Sequence, residues 1–180
     1  PRDLVPSGIP VVNVQDSGVL ADGVDRSAAL LTLFGTLTDG QRLFFPHGTY
    51  TLTSWTVQTL SKIIWIDGDG MGNTILKGSG SNSFLKPTTT FRISNITFDT
   101  WDIVLDFSAI TTIVDKVFIE KNQFINQVRG IYGVNTTPGV GFAASRFLAT
   151  ASRIALRPRF LLTLLLWRTC GLMIITLIPL

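Results

Sequence analysis

Five ionisable residues are of types that perform general acid–base chemistry: Asp99, Asp102, Asp106, Glu120 and Lys121. Such groups exchange a proton with a reacting atom only where folding brings them within hydrogen-bond reach of it. The three aspartates follow one another closely, and the Glu-Lys pair lies a short distance further along the chain. A catalytic cluster and an ordinary solvated surface produce the same pattern, so both interpretations stay open at this point.

Several other kinds of chemistry lack the residues they need. His47 is the single histidine and lies in a Pro-His-Gly turn, so a Ser/His/Asp triad would depend on a residue that we expect to be exposed and idle. The glycine-rich segment 67–72 has neither the Lys of a phosphate loop nor the final glutamate of an EF-hand loop. Cys170 is the only cysteine, which excludes an intrachain disulfide and argues against a cysteine-based metal site. The sequence therefore predicts no metal site, and no cofactor motif is evident.

The composition indicates a folded chain with a sizeable core. Hydrophobic residues make up 46% of the 180 residues and charged residues only 15%, which argues against intrinsic disorder. The net charge is +3, but all twelve carboxylates lie between Asp3 and Glu120, whereas five arginines follow Phe142. Because the basic charge is concentrated in the C-terminal tail, we predict no nucleic-acid partner.

The elements that would position the ionisable groups are one short helix followed by many short strands. Asp25 or Ser27 can cap a helix over Ala28–Phe34, where apolar residues have helical spacing, and Gly35 is expected to end it. From residue 43 onward, short apolar or alternating runs are separated by turn residues. This pattern indicates an all-β chain.

A weak internal repeat narrows the all-β possibilities. Phe98 and Phe124 lie 26 residues apart, and so do Leu105 and Ile131. The Asn-Gly hairpin dipeptides expected of a sandwich or barrel are missing. A repeat of this length made of several short strands is typical of one coil of a β-solenoid, in which only stacked neighbours can bury the apolar side chains.

Three segments resemble, in order, motifs of the pectate-lyase superfamily. Residues 16–30 are similar to its opening motif, in which an Asp-x-Gly turn and a second acidic turn precede an Ala-rich helix. Phe44–Tyr50 is similar to its Phe-Pro-x-Gly-x-Tyr segment, and residues 67–76 to its Gly-x-Gly-x-x-x-Thr-x-Leu turn and strand. The chain thus resembles the pectate-lyase and rhamnogalacturonase-like N-terminal domain found in phage tailspike depolymerases. The resemblance implies a right-handed parallel β-helix whose N-terminal end is closed by a short capping helix.

Within such a fold, the Asp and Gly residues of the motifs are expected to build turns. Glycine adopts positive φ, and Asp accepts hydrogen bonds from nearby backbone N–H groups. A cation site is the alternative for the acidic members, and calcium enters only by analogy with the family. The turn positions are Asp16, Gly18, Asp22, Gly23, Gly48, Gly68 and Gly70.

The resemblance also implies a function: degradation of a polysaccharide, by a lyase or a glycoside hydrolase, outside the cell or on a virion. Polysaccharide is then the expected partner, and a homotrimer is the assembly typical of tailspikes. Catalytic groups would lie on the outer face of central coils, where the five ionisable residues are the candidates. Trp55 and Trp101 are candidates for stacking on sugar rings, with partial burial in a coil as the alternative.

A non-catalytic structural or adhesive β-helix is the competing function, because no catalytic motif of the family is recognisable. Carboxylate and basic groups aligned on three consecutive coils would favour the enzyme. Smooth polar faces of Thr, Ser and Asn would favour a rigid stalk.

The sequence divides into a linker at 1–10, the β-helix at 11–142 and an atypical Arg/Leu-rich tail at 143–180. Residues 160–180 are apolar enough to insert into a membrane despite Arg168, but the arginines before them would hold the β-helix on the cytoplasmic side. An out-of-frame end is therefore the preferred interpretation of the tail, and membrane insertion the alternative. No signal-peptide core is found at the N-terminus of the sequence.

Overall fold

Each coil of the chain contributes one strand to each of three parallel sheets. The computed structural model describes residues 8–108 and 114–132, together with the backbone of three further strands at 142–148, 160–165 and 174–179. This architecture confirms the predicted all-β, right-handed parallel β-helix.

The strands follow a regular order along the chain. β1 (Val11–Asn13) precedes the helix α1 (Ser27–Thr36). The first coil is β2 (Gln41–Phe45), β3 (Gly48–Thr51) and β4 (Gln58–Leu60), and the second is β5 (Ile64–Gly68), β6 (Thr74–Lys77) and β7 (Ser83–Pro87). The third coil is β8 (Phe91–Ser94), β9 (Thr97–Asp99) and β10 (Ile103–Asp106). The fourth is β11 (Val114–Glu120), β12 (Gln123–Ile125) and β13 (Arg129–Tyr132), after which come β14 (Phe142–Leu148), β15 (Phe160–Leu165) and β16 (Ile174–Pro179).

Three faces result from the stacking of these coils. Face 1 contains β1, β2, β5, β8, β11 and β14, face 2 contains β3, β6, β9 and β12, and face 3 contains β4, β7, β10 and β13. The predicted repeat is confirmed by the register, in which Phe98 pairs with Phe124 on face 2 and Leu105 pairs with Ile131 on face 3.

The core lies inside the coils and is rich in aromatic side chains. Phe84 contacts Trp55, Phe98 and Trp101, with ring centroids 5.1–5.5 Å apart. The Phe98 ring stacks on that of Phe124 at 5.7 Å. Each fully buried aromatic or aliphatic side chain contributes about 1.5–3 kcal/mol through removal from water, which makes this interior the main source of stability.

Amide side chains, one buried and one partly buried, join successive coils where the strands turn. The Asn122 side chain accepts from the Ile96 N–H at 3.1 Å and donates to the Ile93 carbonyl at 2.8 Å. The Gln127 side chain likewise accepts from the Trp101 N–H at 3.1 Å and donates to the Phe98 carbonyl at 2.9 Å. These bonds satisfy backbone groups that the parallel ladders leave unpaired at the corners.

Charged side chains lie at both ends of the capping helix. The N-cap residue is Arg26, which makes no side-chain capping bond, and not Asp25 or Ser27 as predicted. Asp25, one residue earlier, still supplies an acceptor, because its Oδ1 accepts from the backbone N–H of Ser27 at 3.0 Å. The prediction that Gly35 ends the helix is wrong, since the helix continues through Thr36. A left-handed glycine is not needed there, because Lys62 Nζ donates to the carbonyls of Gly35 and Leu37 at 3.4 and 2.5 Å.

The predicted turn residues lie between elements or at close approaches. Asp16 is part of a short 3-10 turn, and the Asp22 carboxylate accepts from the Val24 N–H at 3.1 Å. Gly48 has a φ of 139°, and a Cβ there would stand 2.4 Å from the Cβ of Ala21. Gly68 is required by packing rather than by φ, as a Cβ there would stand 2.4 Å from the carbonyl oxygen of Asn95. Positive φ is found at Gly18, Gly23 and Gly70.

The tail is described only in its strands. β14 pairs in parallel with β11, so face 1 extends past the predicted boundary at residue 142. β15 and β16 form an antiparallel pair. Within the described residues, no helix has the length and apolar character needed to cross a membrane. Arg153, Arg157, Arg159 and Arg168, like residues 1–7 of the predicted linker, lie outside the described residues, and both interpretations of the tail stay predictions.

Asp25 should make stability depend on acid pH. Partial burial opposes its ionisation, but four hydrogen bonds from Ser27, Thr53 and Ser54 outweigh that effect and hold the pKa of Asp25 well below its usual value of 3.8. A lowered folded-state pKa contributes stability above the unfolded-state pKa and loses it as the pH falls below that value. We expect Asp25→Asn to lower the free energy of unfolding by about 2 kcal/mol at neutral pH.

The measurement is urea unfolding of the wild type and Asp25→Asn between pH 7 and pH 2. The difference between the two should be constant near neutrality and shrink in acid. Asp16→Asn, which alters an exposed carboxylate, is the matched control. A difference that stays the same down to the lowest pH would contradict the assignment.

Two glycine substitutions should change stability in opposite directions. Gly68→Ala forces a methyl group against the Asn95 carbonyl, and we expect a loss of about 1–3 kcal/mol from overpacking. Gly35→Ala adds the same methyl group to a helical position with nothing within 4 Å and should stabilise by about 0.5–1 kcal/mol. Thermal unfolding of both variants measures these changes. Equal effects of the two substitutions would contradict the close stacking of coils at Gly68.

Candidate functional site

Outward-directed side chains of face 1 form two columns that cross four consecutive coils, and all of them except the buried Ser94 are partly exposed. In each strand they alternate with buried residues, as Arg42 and Phe44 do with Leu43 and Phe45. The strand register places the side chains of one column next to each other on successive strands. We name the first the arginine column, composed of Arg42, Trp65, Arg92 and Phe118. The second is the carboxylate column, composed of Phe44, Asp67, Ser94 and Glu120.

The first ion pair between the columns joins β2 to β5. The guanidinium of Arg42 pairs with the carboxylate of Asp67, and its carbon lies 5.5 Å from the ring centroid of Phe44. The Asp67 carboxylate also accepts from Ser94 Oγ and Asn95 Nδ2, each at 2.8 Å. Both charged side chains are largely covered, with 19% and 15% of their surface exposed. This pair therefore ties three coils together as well as forming part of the outer surface.

The second ion pair repeats the arrangement two strands further on, between β8 and β11. Arg92 Nη2 lies 3.2 Å from Glu120 Oε2, and the guanidinium carbon lies 5.9 Å from the ring centroid of Trp65. This pair is more open, with 37% and 23% of the two side chains exposed. Arg92 Nε is buried without a hydrogen-bond partner. The side chains of Trp65 and Phe118 are themselves partly exposed.

Of the five sequence candidates, only Glu120 belongs to this surface. Lys121 follows it in the turn towards face 2, where it is exposed and has a φ of 53°. Asp99 ends β9 on face 2, and its Oδ1 accepts from Thr100 Oγ1 at 2.9 Å and Asn126 Nδ2 at 2.8 Å.

The two remaining aspartates lie further round the coil. Asp102 occupies the corner before β10, and its carbonyl accepts from the Arg129 N–H at 2.7 Å. Asp106 ends β10 on face 3 and is 5% exposed, with Lys86 Nζ at 3.5 Å and the Ser108 N–H at 2.9 Å. The structure thus distributes the candidates over three faces and does not bring them together.

Trp55 and Trp101 are core residues in this structure. They are 3% and 0% exposed, and their indole N–H groups donate to the carbonyls of Phe84 and Leu76 at 2.8 and 2.9 Å. Neither ring leaves a face open to a sugar. Both residues therefore fit the alternative interpretation, burial within a coil. The aromatic residue that sequence reasoning missed is Trp65.

Arg42, Asp67 and Arg92 were also missed. The alternation of side chains within each strand could have indicated that these residues face outward. The neighbours of the arginine column are 23, 27 and 26 residues apart (42 to 65, 65 to 92, 92 to 118), so no constant period connects them. Only the pairing of the strands shows that these residues share a column.

No metal centre emerges from the part of the chain that the structure describes. Among those residues, no group of three or more His, Cys, Asp or Glu side chains could hold a metal ion. Calcium, which the resemblance suggested, stays a prediction.

Comparison with known proteins found a matching family model and a similar solved structure. A family model described as rhamnogalacturonase A/epimerase, pectate lyase-like, matches residues 11–147. A solved structure, ORF18 of Geobacillus virus E2, is similar at 20% sequence identity over 65% of this chain and 25% of that one, with a TM-score of 0.45. The chain spans about a quarter of the length of that viral protein. No curated protein matches the sequence.

The two ion pairs should differ in their importance for stability. Arg92→Gln and Glu120→Gln alter the more exposed pair, and each should change the free energy of unfolding by less than about 1 kcal/mol. Asp67→Asn weakens a more covered ion pair and two further hydrogen bonds, so we expect a loss of about 2–3 kcal/mol. Urea unfolding measures all three, and a loss for Arg92→Gln as large as that for Asp67→Asn would show that the outer pair is structural.

Proposed function

We propose, from the premise that this chain belongs to the rhamnogalacturonase A/epimerase, pectate lyase-like family, that it forms the N-terminal coils of a polysaccharide-degrading β-helix protein. The outer surface of face 1 is the proposed binding surface. The observation that carries the proposal is the alignment of basic, acidic and aromatic side chains on four consecutive strands of that face. We take this alignment of charged groups on successive coils as support for an enzyme over a stalk.

The chemistry of these side chains suits a sugar polymer. A partly exposed indole offers a flat apolar surface to the C–H face of a pyranose ring, and its burial by the ligand contributes favourable contact area. Guanidinium and carboxylate groups offer several donors and acceptors to hydroxyl groups in a fixed geometry. Trp65 lies between Arg42 and Arg92 in the arginine column, so one bound chain can use both kinds of contact.

Asp67 and Glu120 are the candidate acid–base pair of this surface. They lie in one column two strands apart, which separates their backbones by about 9.5 Å at the usual strand spacing. Inverting glycosidases hold their two carboxyl groups about 6.5–9.5 Å apart, so side chains that start from strands two apart have the reach to flank one glycosidic bond. Lyase and hydrolase chemistry both remain within the proposal.

A non-catalytic, adhesive β-helix is the second candidate function. The observation that favours it is that each carboxylate of the carboxylate column already pairs with an arginine of the same face. Such pairs hold side chains in place for binding, whereas a general acid or base must exchange its proton with the substrate.

The resemblance to tailspikes extends the proposal to a homotrimer located outside the cell or on a virion. A trimer would carry three copies of face 1. The mass of the purified chain by light scattering therefore comes before any binding experiment, because the stoichiometry must be expressed per protomer.

Binding is tested with immobilised and soluble plant and bacterial polysaccharides, acidic and neutral, by affinity electrophoresis and calorimetry. Trp65→Ala should weaken binding of the preferred polymer about tenfold, because the central aromatic contact is lost. Tyr132→Ala is the matched control, since it removes a partly exposed aromatic ring from face 3. Equal effects of the two substitutions would contradict binding on face 1.

Activity is measured on the same polymers from new reducing ends and from the ultraviolet absorbance of unsaturated products. Cleavage that is lost in Glu120→Gln while binding is retained supports the enzyme. Binding without cleavage by the wild-type protein supports the adhesive function instead. A chain that binds none of these polymers contradicts both functions.

A further inference from the structure

A small cleft lies where the C-terminal half of α1 meets the first two coils. It holds about 150 Å³ of space and is partly open to solvent. Leu31, Phe34 and Leu37 line it from the helix and the residue that follows the helix. Leu60 lines it from β4 and Ile64 from β5. We name this space the cap cleft.

The topology of the sheets explains why this end of the solenoid is incompletely filled. Face 1 continues past the first coil with β1, but among the described strands β4 is the outermost of face 3. The outer edge of β4 therefore has no described strand to pair with. α1 lies over this end, and its backbone groups are used in its own hydrogen bonds rather than in a ladder with β4. Apolar space and polar edge groups are left together in the cap cleft as a result.

The apolar part of the cap cleft matches a single ring in size. Leu37, Leu60 and Ile64 are 2%, 4% and 1% exposed, so the inner wall is made of buried hydrocarbon side chains. A cavity of this volume lined by Leu, Ile and Phe side chains can hold a benzene molecule. A sugar ring is less suitable, because its hydroxyl groups would lose their hydrogen bonds to water against such a wall.

The rim of the cap cleft carries one positive charge. Lys62 is part of the lining, and among the described residues it makes no ion pair. Two of the three donors of its ammonium group bond to the carbonyls of Gly35 and Leu37, which carry no net charge. The carboxylate of Asp39, which accepts from the Ile63 N–H at 2.7 Å, is not part of the lining. One donor and the full charge of the ammonium group therefore remain for an anion.

From this combination we propose that the cap cleft binds a small carboxylic acid with one apolar ring. The ring packs against Leu60 and Ile64, and the carboxylate pairs with the ammonium group of Lys62. An ionised donor and an ionised acceptor form a short, strong hydrogen bond, and the hydroxyl groups of Thr59 and Ser61 in the lining are further donors. The cleft shares no residue with the two columns of face 1, so its ligand is independent of the polymer proposed for that face.

Binding at this position has a consequence for the fold. The acid contacts α1 and the coils at the same time, and unfolding separates these contacts. A ligand that binds only the folded chain stabilises it by mass action. At a ligand concentration of about ten times the dissociation constant, the folding equilibrium should shift about elevenfold toward the folded state.

The test uses benzoate as the probe and benzamide, which has nearly the same shape without the charge, as its neutral counterpart. Calorimetric titration of the full chain should give a dissociation constant of about 1 mM or lower for benzoate. Benzamide should bind about tenfold more weakly. Thermal unfolding should show a higher midpoint with benzoate than with an equal concentration of chloride. Equal affinities for benzoate and benzamide overturn the assignment of a carboxylate, and no binding of benzoate overturns the site itself.

Substitutions locate the binding. Lys62→Gln keeps a donor for the helix carbonyls but removes the charge, so benzoate should bind about tenfold more weakly and benzamide as before. Lys77→Gln, on the exposed end of β6 on face 2, is the matched control and should alter neither affinity.

Leu31→Trp keeps Lys62 in place and fills the cleft from a partly exposed position of α1, so it should abolish the binding of both compounds. Circular dichroism checks that each variant retains its fold, and if Lys62→Gln does not fold, Leu31→Trp decides the location. Benzoate binding that is unchanged in Leu31→Trp overturns the inference.

Discussion

The stacking of each coil on the next is the interaction on which the rest of this structure depends. A single coil of three short strands encloses too little volume to remove its apolar side chains from water, so Phe84 and Phe98 become buried only when successive coils meet. Stacking also requires close approach at the corners. Gly68 permits that approach because it has no side chain. The amide side chains of Asn122 and Gln127 pair the backbone groups that the parallel strands leave free.

Because each coil is stabilised by the coils next to it, the apolar side chains of an end coil must be covered by another element. At the N-terminal end, α1 buries Leu30, Leu33 and Phe34 against the first coils. Two charged groups hold it there from opposite ends. Asp25 connects the start of the helix to Thr53 and Ser54 beyond β3, and Lys62 connects its end to the second coil. Since α1 is short and has no charged residue of its own, its stability comes from these tertiary contacts rather than from the helix itself.

The register that packs the core also assembles the outer surface. Successive side chains of a strand point to opposite sides of the sheet. When inward residues of neighbouring parallel strands stack in a row, the outward residues next to them are therefore aligned in a column as well. Leu43, Ile66, Ile93 and Ile119 form the inward row, which places Arg42, Trp65, Arg92 and Phe118 in line outside it. Binding and stability are therefore coupled on face 1. Asp67 takes part in both, because the carboxylate that pairs with Arg42 also joins the second coil to the third.

The family, the solenoid, the capping helix with Asp25 near its start and the pairing of Phe98 with Phe124 could all be predicted from the sequence, because they depend on local turn chemistry, apolar alternation and a repeat. Which outward residues are neighbours could not be predicted and became clear only from the pairing of the strands. Asp99, Asp102 and Asp106 are close in sequence but point to different parts of the coil, whereas Arg92 and Glu120 are far apart in sequence and form an ion pair. The physical reason is that the turns between strands differ in length. Alternation along one strand shows which side chains face outward, but only the hydrogen-bonded register between strands determines which of them meet.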